Sequence, residues 1–120
     1  MEVVYHEREN GECPTLGFLE SLPEKARSKV MGYLPALGET RDGRLSGDRT
    51  EVLSIWDVNA LRVEYGGVQY RVFYFIPKGE RKIVVLNGYV KKTQKADVAE
   101  CRRAASLKAS YEQGKRRNLQ

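Results

Sequence analysis

The pattern of hydrophobic and polar residues is most regular between residues 61 and 95. Three runs rich in β-branched and aromatic residues are separated by the pair Gly66-Gly67 and by a turn segment over 77–80, and a basic cluster follows the last run. Two adjacent glycines suit a two-residue hairpin loop, because a type I′ turn needs positive φ at both central positions. The pattern therefore predicts three consecutive antiparallel strands.

The hairpin register predicts which side chains share a face of the sheet. With Gly66 and Gly67 as the turn, Arg62 lies opposite Arg71 on a face that is polar near the turn, while the other face is apolar. Like charges directly opposite each other are unfavourable, so either Glu64 offsets them or an anion lies between them. A phosphate is the natural anion, since guanidinium groups match phosphate geometry.

Weaker patterns on either side of this core predict the remaining elements. Residues 1–6 read as a first strand, at a sheet edge or paired with a later strand. A short helix over 15–21 and a longer one that ends at Gly38 form a helical hairpin that covers one side of the sheet. A short strand over 52–56 leads into the main hairpin. A last helix over 96–112 carries its apolar residues on one half of the helical wheel.

These elements predict an α+β fold with a small, twisted, mainly antiparallel sheet, two N-terminal helices packed on one face and a C-terminal helix. We expect one domain over residues 1–113 and a flexible basic tail over 114–120. No apolar run is long enough to cross a membrane and no secretory signal pattern is present, so we expect a cytoplasmic protein without a membrane partner. Cys13 and Cys101 are expected to be reduced thiols, although a bond between them stays open.

Positive charge is concentrated at the C-terminal end of the chain. Residues 91–120 contain 9 Lys and Arg against 3 Asp and Glu, whereas residues 1–90 contain 12 against 13. Such asymmetry indicates an acidic partner, with nucleic acid as the first candidate. A basic tail that only improves solubility would give the same asymmetry.

The candidate chemistry is a cationic cluster near the sheet. With one histidine and two distant cysteines, the sequence predicts no metal site, and it contains no phosphate loop or dinucleotide motif, so no cofactor is expected. The candidate catalytic residues are cationic or phenolic: Arg62, Arg71, Tyr89, Lys91 and Lys92. Three further basic residues are candidate RNA contacts: Lys95, Arg102 and Arg103.

A cluster of this kind suits RNA cleavage by the RNA's own 2′-hydroxyl group. The protein must then stabilise the negative phosphorane, which arginines and lysines do by preorganised electrostatics. A lysine crowded by other cations can have a lowered pKa, so Lys91 or Lys92 is a candidate base, and Tyr89 is a candidate donor or acceptor. DNA lacks the attacking group, so this mechanism predicts specificity for RNA.

Two motifs frame this cluster. The strand sequence YRVFYF at 70–75 is followed by LNGYVKKTQK at 86–95, and the sequence FLESLPEKAR occupies 18–27. Together they resemble the RelE/HigB toxin superfamily, and in particular its branch related to phage Gp49 proteins. The resemblance covers residues 16–111.

The resemblance implies a toxin of a type II toxin–antitoxin pair. Such proteins are small endoribonucleases that cleave mRNA, commonly in the ribosomal A site, and their usual partner in this branch is a helix-turn-helix antitoxin. Carried over by position, the motif implies functional roles for the same basic and aromatic positions: Arg62, Arg71, Tyr89, Lys91 and Lys92.

Two other functions stay open at this point. A non-catalytic RNA- or protein-binding domain on the same scaffold would suit Glu64, which stands where relatives can carry a second basic residue. A structural phage protein with a basic tail is the third reading. Each residue alone also has an ordinary structural explanation: Arg62 can pair with Glu64, Tyr89 can pack in the core, and residues 91–95 can form a solvated loop.

Overall fold

The protein forms one five-stranded sheet that is covered by helices on both faces. The computed structural model describes residues 1–93 and 97–118. The strands are β1 (Glu2–Tyr5), β2 (Thr50–Leu53), β3 (Val58–Tyr65), β4 (Val68–Phe75) and β5 (Lys82–Lys91). The helices are α1 (Pro14–Glu20), α2 (Glu24–Gly38) and α3 (Val98–Asn118), and a short 3-10 turn at Gly47–Arg49 precedes β2.

The strand order is β1-β5-β4-β3-β2, so the two edges are formed by the first and second strands of the chain. β1 pairs with β5 in parallel, and the other three pairings are antiparallel. This architecture confirms the prediction of an α+β fold with a mainly antiparallel sheet. It also confirms that the first strand lies at a sheet edge.

The β3–β4 hairpin has the predicted turn and register. Gly66 and Gly67 both have positive φ, at 59° and 78°, as a type I′ turn requires. Tyr65 pairs with Val68, and the register places Arg62 directly opposite Arg71. The predicted division of the hairpin into an apolar face and a face that is polar near the turn is therefore confirmed.

Each face of the sheet has its own hydrophobic core. The first core joins α1 and α2 to the sheet through Leu19, Ala26, Val30, Leu34, Leu61, Val63, Val72 and Ile83. The second core joins α3 to the opposite face through Val58, Phe73, Phe75, Val84, Leu86, Cys101, Ala104 and Leu107. Cys101 is the first buried residue of α3. The polar end of the β3–β4 hairpin on this second face therefore lies outside the area of the sheet that α3 packs against.

Helix α3 extends further than its sequence pattern predicts. The predicted end was near Glu112, whereas the helix continues through Gly114 to Asn118, and its predicted start at residue 96 lies outside the described residues. Tyr111 Oη donates a hydrogen bond to Glu80 Oε1 at 3.2 Å, and Lys115 Nζ lies 3.2 Å from the same oxygen. These contacts offset the small helix penalty of a single glycine, so residues 114–118 of the predicted tail are helical.

The loop between α2 and β2 is tied to the sheet by one buried tyrosine. Tyr74 Oη donates to the carbonyl oxygen of Gly43 at 2.5 Å, and Gly43 N–H donates to Thr40 Oγ1 at 2.8 Å. Gly43 has φ of 73°, and Ile76 occupies the space where a side chain would project. Burial raises the pKa of Tyr74 to about 12, so its hydroxyl keeps its proton.

Two further features bear on the expectations from sequence. Cys13 and Cys101 are both free thiols, so the two cysteines do not pair. None of the helices in the described ranges combines the length and the apolar character needed to cross a bilayer.

Gly88→Ala should destabilise the fold because β5 and α1 approach each other closely at this glycine. An added Cβ would lie 2.4 Å from Phe18 Cδ2, so the ring must move within a packed core. We expect a loss of about 1–3 kcal/mol in the free energy of unfolding, measured by urea denaturation. Gly32→Ala is the matched control, because a Cβ there meets no described atom within 4 Å, and it should stabilise α2 by about 0.5–1 kcal/mol. Equal effects of the two substitutions would contradict this packing.

Tyr74→Phe should destabilise the protein in a pH-dependent way. The substitution leaves the buried Gly43 carbonyl without its donor, which costs about 1–3 kcal/mol. The folded-state pKa is about 12, above the ordinary value of 10.0, so the tyrosine's contribution is complete below pH 10 and is lost as the pH rises to about 12. The difference in unfolding free energy between wild type and Tyr74→Phe should therefore shrink over this interval. A difference that stays constant up to pH 12 would contradict the buried hydrogen bond.

Candidate functional site

The two arginines of the hairpin project from the face of the sheet that α3 only partly covers. Arg62 lies on β3 and Arg71 lies opposite on β4, as the register requires. Tyr89 is the partner of Arg71 on β5, so a basic pair and a phenol stand side by side across three neighbouring strands. The predicted juxtaposition of the two arginines is confirmed.

The carboxylate that offsets the two arginines is Glu51, and not Glu64, which was one of the two alternatives that the sequence left open. Arg62 Nε donates to Glu51 Oε2 at 3.2 Å, and Arg62 Nη2 contacts the same oxygen. Arg71 Nη1 lies 3.5 Å from that oxygen as well. The side chain of Glu64 is exposed, while its backbone carbonyl accepts a hydrogen bond from Lys29 Nζ. Glu51 reaches the arginines because β2 pairs with β3 and brings Glu51 opposite Ala60.

A small cavity of about 80 Å³ opens next to Arg71. It lies between β2, β4, β5 and the start of α3, and it combines apolar walls with four charged groups. Its lining residues are Glu51, Leu53, Ala60, Arg71, Phe73, Tyr89, Lys91, Asp97 and Cys101. The cavity is larger than the roughly 30 Å³ that one water molecule occupies in the liquid, so a small polar group can enter it.

Arg71 has hydrogen-bonding capacity that the described protein atoms do not use. Its side chain is only 14% exposed, and Nε has no acceptor within the described ranges. A buried N–H group without a partner costs about 1–3 kcal/mol. A ligand that brings an anionic oxygen into the cavity would remove this cost. The site is therefore suited to an anionic ligand that accepts a hydrogen bond from Arg71.

The phenol of Tyr89 and the thiol of Cys101, which both line the cavity, keep their protons at neutral pH. The ring of Tyr89 stacks on Phe73 with centroids 5.6 Å apart, and burial raises the pKa of the Tyr89 hydroxyl despite the opposing effect of Arg71. Burial is also the main cause that raises the pKa of the Cys101 thiol, with Asp97 next. The cavity therefore offers a phenolic donor and no thiolate nucleophile.

One protein-family model matches the chain over residues 17–109, and its description is phage-derived protein Gp49-like (DUF891). The match runs from within α1 to within α3 and includes every strand of the cavity. The chain belongs to the Gp49-like family. A search of curated proteins returned no match for this Gp49-like chain.

The fold of this Gp49-like protein brings most of the predicted catalytic residues together. Arg71, Tyr89 and Lys91 line the cavity, and Arg62 joins them through the shared carboxylate of Glu51. Lys92 follows the last residue of β5, is exposed and does not line the cavity.

Two of the predicted RNA-contacting residues are not among those that line the cavity. Arg102 and Arg103 are exposed on α3, next to the buried Cys101 that contributes to the cavity wall. Lys95 lies outside the described residues. The catalytic and RNA-binding roles of all these positions stay predictions.

Two acidic residues of the cavity were missed by the sequence reasoning. Glu51 belongs to the segment over 39–60 whose pattern is least regular, and the predicted strand there began one residue too late to include it. Asp97 Oδ1 accepts the backbone N–H of Glu100, so this residue caps α3 while it lines the cavity. The sequence did contain an indication of the position of Glu51, because a four-residue turn between Leu53 and Val58 allows residues 50–53 to pair with β3 as a hairpin.

Glu51→Gln should destabilise the hairpin face because Arg62 and Arg71 lose their shared counter-charge. We expect a loss of about 1 kcal/mol in the free energy of unfolding at low ionic strength, since these side chains are partly exposed. Added sulfate should recover more stability in Glu51→Gln than in wild type, because an anion can replace the carboxylate. Urea denaturation with and without sulfate measures both effects.

Glu12→Gln is the matched control for this substitution. Glu12 lies 4.0 Å from Arg8 in an exposed ion pair, so its loss should change stability by no more than a few tenths of a kcal/mol. If sulfate stabilises all three proteins equally, the two arginines do not form an anion site when Glu51 is neutralised.

Proposed function

We propose that this Gp49-like protein is a toxin of the RelE/HigB type, an endoribonuclease that cleaves mRNA by attack of the RNA 2′-hydroxyl group. One observation carries the proposal: the largely buried side chain of Arg71, whose Nε has no acceptor among the described residues, lines a cavity together with Tyr89 and Lys91. This set supplies cations and a phenolic donor around one small space. The reaction needs these groups and no protein nucleophile.

The arginines would stabilise the charge that develops at phosphorus. When the 2′-oxygen attacks, the phosphorane carries an additional negative charge, and preorganised donors aimed at it lower the barrier. Arg71 has the longer contact to Glu51, and its Nε has no partner in the part of the chain that the structure describes, so it can turn to a phosphate oxygen at the smaller cost. Arg62 stays close enough to contribute a second guanidinium group.

Glu51 is the general base in this proposal. Its carboxylate lines the cavity and takes the proton of the 2′-hydroxyl as the 2′-oxygen bonds to the adjacent phosphorus. The bond from phosphorus to the 5′-oxygen then breaks, and that oxygen takes a proton from Tyr89 or Lys91. The products are a 2′,3′-cyclic phosphate and a 5′-hydroxyl. Glu51 replaces Lys91 and Lys92 as the preferred base because a carboxylate can accept a proton, whereas a lysine ammonium group has only donors.

The arrangement also explains how the site stays stable without RNA. Glu51 holds the two guanidinium groups together when no phosphate is present, and the incoming phosphate takes over this neutralisation. The carboxylate is then released from Arg71 and can accept a proton. A single side chain thereby serves the empty and the occupied site.

The proposed RNA partner follows from the charge distribution, and the proposed protein partner follows from the resemblance to the RelE/HigB toxins. The exposed Arg102 and Arg103 on α3 and the basic C-terminal quarter of the chain suit RNA, in mRNA or in the ribosome. A helix-turn-helix antitoxin is the proposed protein partner.

A non-catalytic RNA-binding domain is the second candidate function. The contact of Glu51 with both arginines favours it, because a pair that stays neutralised would stabilise no phosphorane, and RNA would then be bound by other basic residues such as the exposed Arg102 and Arg103. Cleavage assays with Arg71 and Glu51 variants separate the two functions.

Induction of the wild-type protein in bacteria should arrest growth and produce new 5′ ends within messages. Arg71→Ala should reduce cleavage by a factor of about 10²–10³, as is typical when one donor to a charged transition state is removed. Arg81→Ala is the matched control, because Arg81 is exposed in the turn between β4 and β5, and it should cleave like wild type. If Arg71→Ala folds normally and still arrests growth with the same 5′ ends, the cavity is not the active site.

The adjacent lysines at the end of β5, Lys91 and Lys92, provide a finer test of the geometry. Only Lys91 lines the cavity, so Lys91→Ala should lower the cleavage rate strongly, while Lys92→Ala should change it much less. Single-turnover rates on programmed ribosomes measure the difference. Equal losses would indicate that the lysines act by general attraction of RNA, because both substitutions remove one positive charge.

A further inference from the structure

A second, larger depression lies on the other side of the two arginines. This groove has a volume of about 590 Å³, within the range of sites that hold small ligands. It is bounded by α2, the 3-10 turn and the β3–β4 hairpin. Its lining residues are Lys29, Tyr33, Ser46, Gly47, Asp48, Arg49, Arg62, Val63, Glu64, Gln69 and Arg71. Because Arg71 lines the cavity as well, the groove and the cavity share one wall.

The groove presents cations that the protein does not neutralise. Four basic side chains and two carboxylates, those of Asp48 and Glu64, line it, and two of the four cations, Arg62 and Arg71, are paired with Glu51. Within the described ranges, no carboxylate lies at ion-pair distance from Lys29 or Arg49. Both residues are exposed, so their charges face solvent along the groove.

Aromatic rings support both of these cations. The Arg49 guanidinium lies over the Tyr33 ring at 5.3 Å from its centroid, and Lys29 Nζ lies 5.9 Å from the centroid of Tyr65. Lys29 Nζ also donates to the backbone carbonyl of Glu64, which fixes it between α2 and the hairpin. The cations are therefore held in place before any ligand binds.

We propose that this groove binds the single-stranded RNA segment that flanks the cleaved phosphate. Lys29 and Arg49 would contact backbone phosphates, and the guanidinium plane of Arg49 on Tyr33 would stack with a base. The inference rests on the proposed function, because a strand whose reacting phosphate meets Arg71 in the cavity continues across Arg62 into the groove.

RNA suits the groove better than an acidic protein segment does. Single-stranded nucleic acid is recognised by cationic grooves in which bases stack on aromatic rings or guanidinium planes, and this groove combines both features. An acidic peptide would gain from the charges alone, because it has no base to stack on the guanidinium plane of Arg49.

Binding of a labelled 2′-O-methyl RNA oligonucleotide tests the groove separately from cleavage, because this probe lacks the attacking hydroxyl. The double variant Lys29→Ala/Arg49→Ala should bind it about tenfold more weakly at low salt. The slope of log affinity against log salt should become shallower by about 1.4, the value expected when two contacts to single-stranded phosphates are lost. Fluorescence anisotropy at several salt concentrations measures both quantities.

Lys78→Ala/Arg81→Ala is the matched control, since it removes two exposed charges from the turn at the opposite end of β4. It should leave affinity within a factor of two of wild type and the salt slope unchanged. The inference is overturned if both double variants lose affinity equally, if Lys29→Ala/Arg49→Ala binds like wild type, or if wild type does not bind the probe. Binding of a polyglutamate peptide in place of RNA would assign the groove to a protein partner and also overturn it.

The two proposals fail in distinguishable ways. Wild type that binds the probe through Lys29 and Arg49 but never cleaves unmodified RNA would refute the endoribonuclease and leave the groove as an RNA-binding site. Cleavage that depends on Arg71 but not on Lys29 and Arg49, with unchanged probe binding in the double variant, would retain the enzyme and refute the groove.

Discussion

The contact on which the site depends is the sharing of one carboxylate by two arginines. The Gly66-Gly67 turn fixes the register of the hairpin, and that register forces Arg62 and Arg71 to face each other. Such a pair is unfavourable by itself, and Glu51 from the neighbouring strand makes it tolerable. The sheet can therefore hold two guanidinium groups at one place without a ligand, ready for an anion that offers more oxygen atoms than a single carboxylate does.

One face of the sheet is packed against helices, and the other face carries the candidate site. One face is covered by α1 and α2, which bury a continuous apolar core. On the other face, Cys101 is the first residue of α3 that is buried against the sheet. Helix α3 therefore does not cover the polar residues at the hairpin end. The cavity forms at this boundary, where the apolar wall of Phe73 meets the charges of Arg71 and Lys91. Low dielectric on one side strengthens the charges on the other, which suits the stabilisation of a phosphorane.

Sequence patterns predicted the parts of this arrangement that local chemistry determines. A turn of two glycines and alternation along β3 and β4 were sufficient to place Arg62 opposite Arg71. Glu51 was not placed, because the predicted strand began at residue 52 and the irregular segment before β2 obscured the pairing of β2 with β3. The groove beside Arg49 could not be predicted from the sequence either. It forms where three elements meet in space: α2, the β3–β4 hairpin and an irregular loop that Tyr74 anchors. The end of α3 was misjudged because contacts with Glu80 extend the helix past Gly114.

The chemistry of the cleaved RNA ends tests the central claim most directly. If the RNA 2′-hydroxyl is the nucleophile, mass spectrometry of RNA cleaved by the wild-type protein must find a 2′,3′-cyclic phosphate or its 3′-phosphate hydrolysis product on one side and a 5′-hydroxyl on the other. Replacing the single nucleotide before the cut with its 2′-deoxy form must abolish cleavage at that position. Products with a 3′-hydroxyl and a 5′-phosphate, or cleavage that survives the 2′-deoxy replacement, would contradict the account.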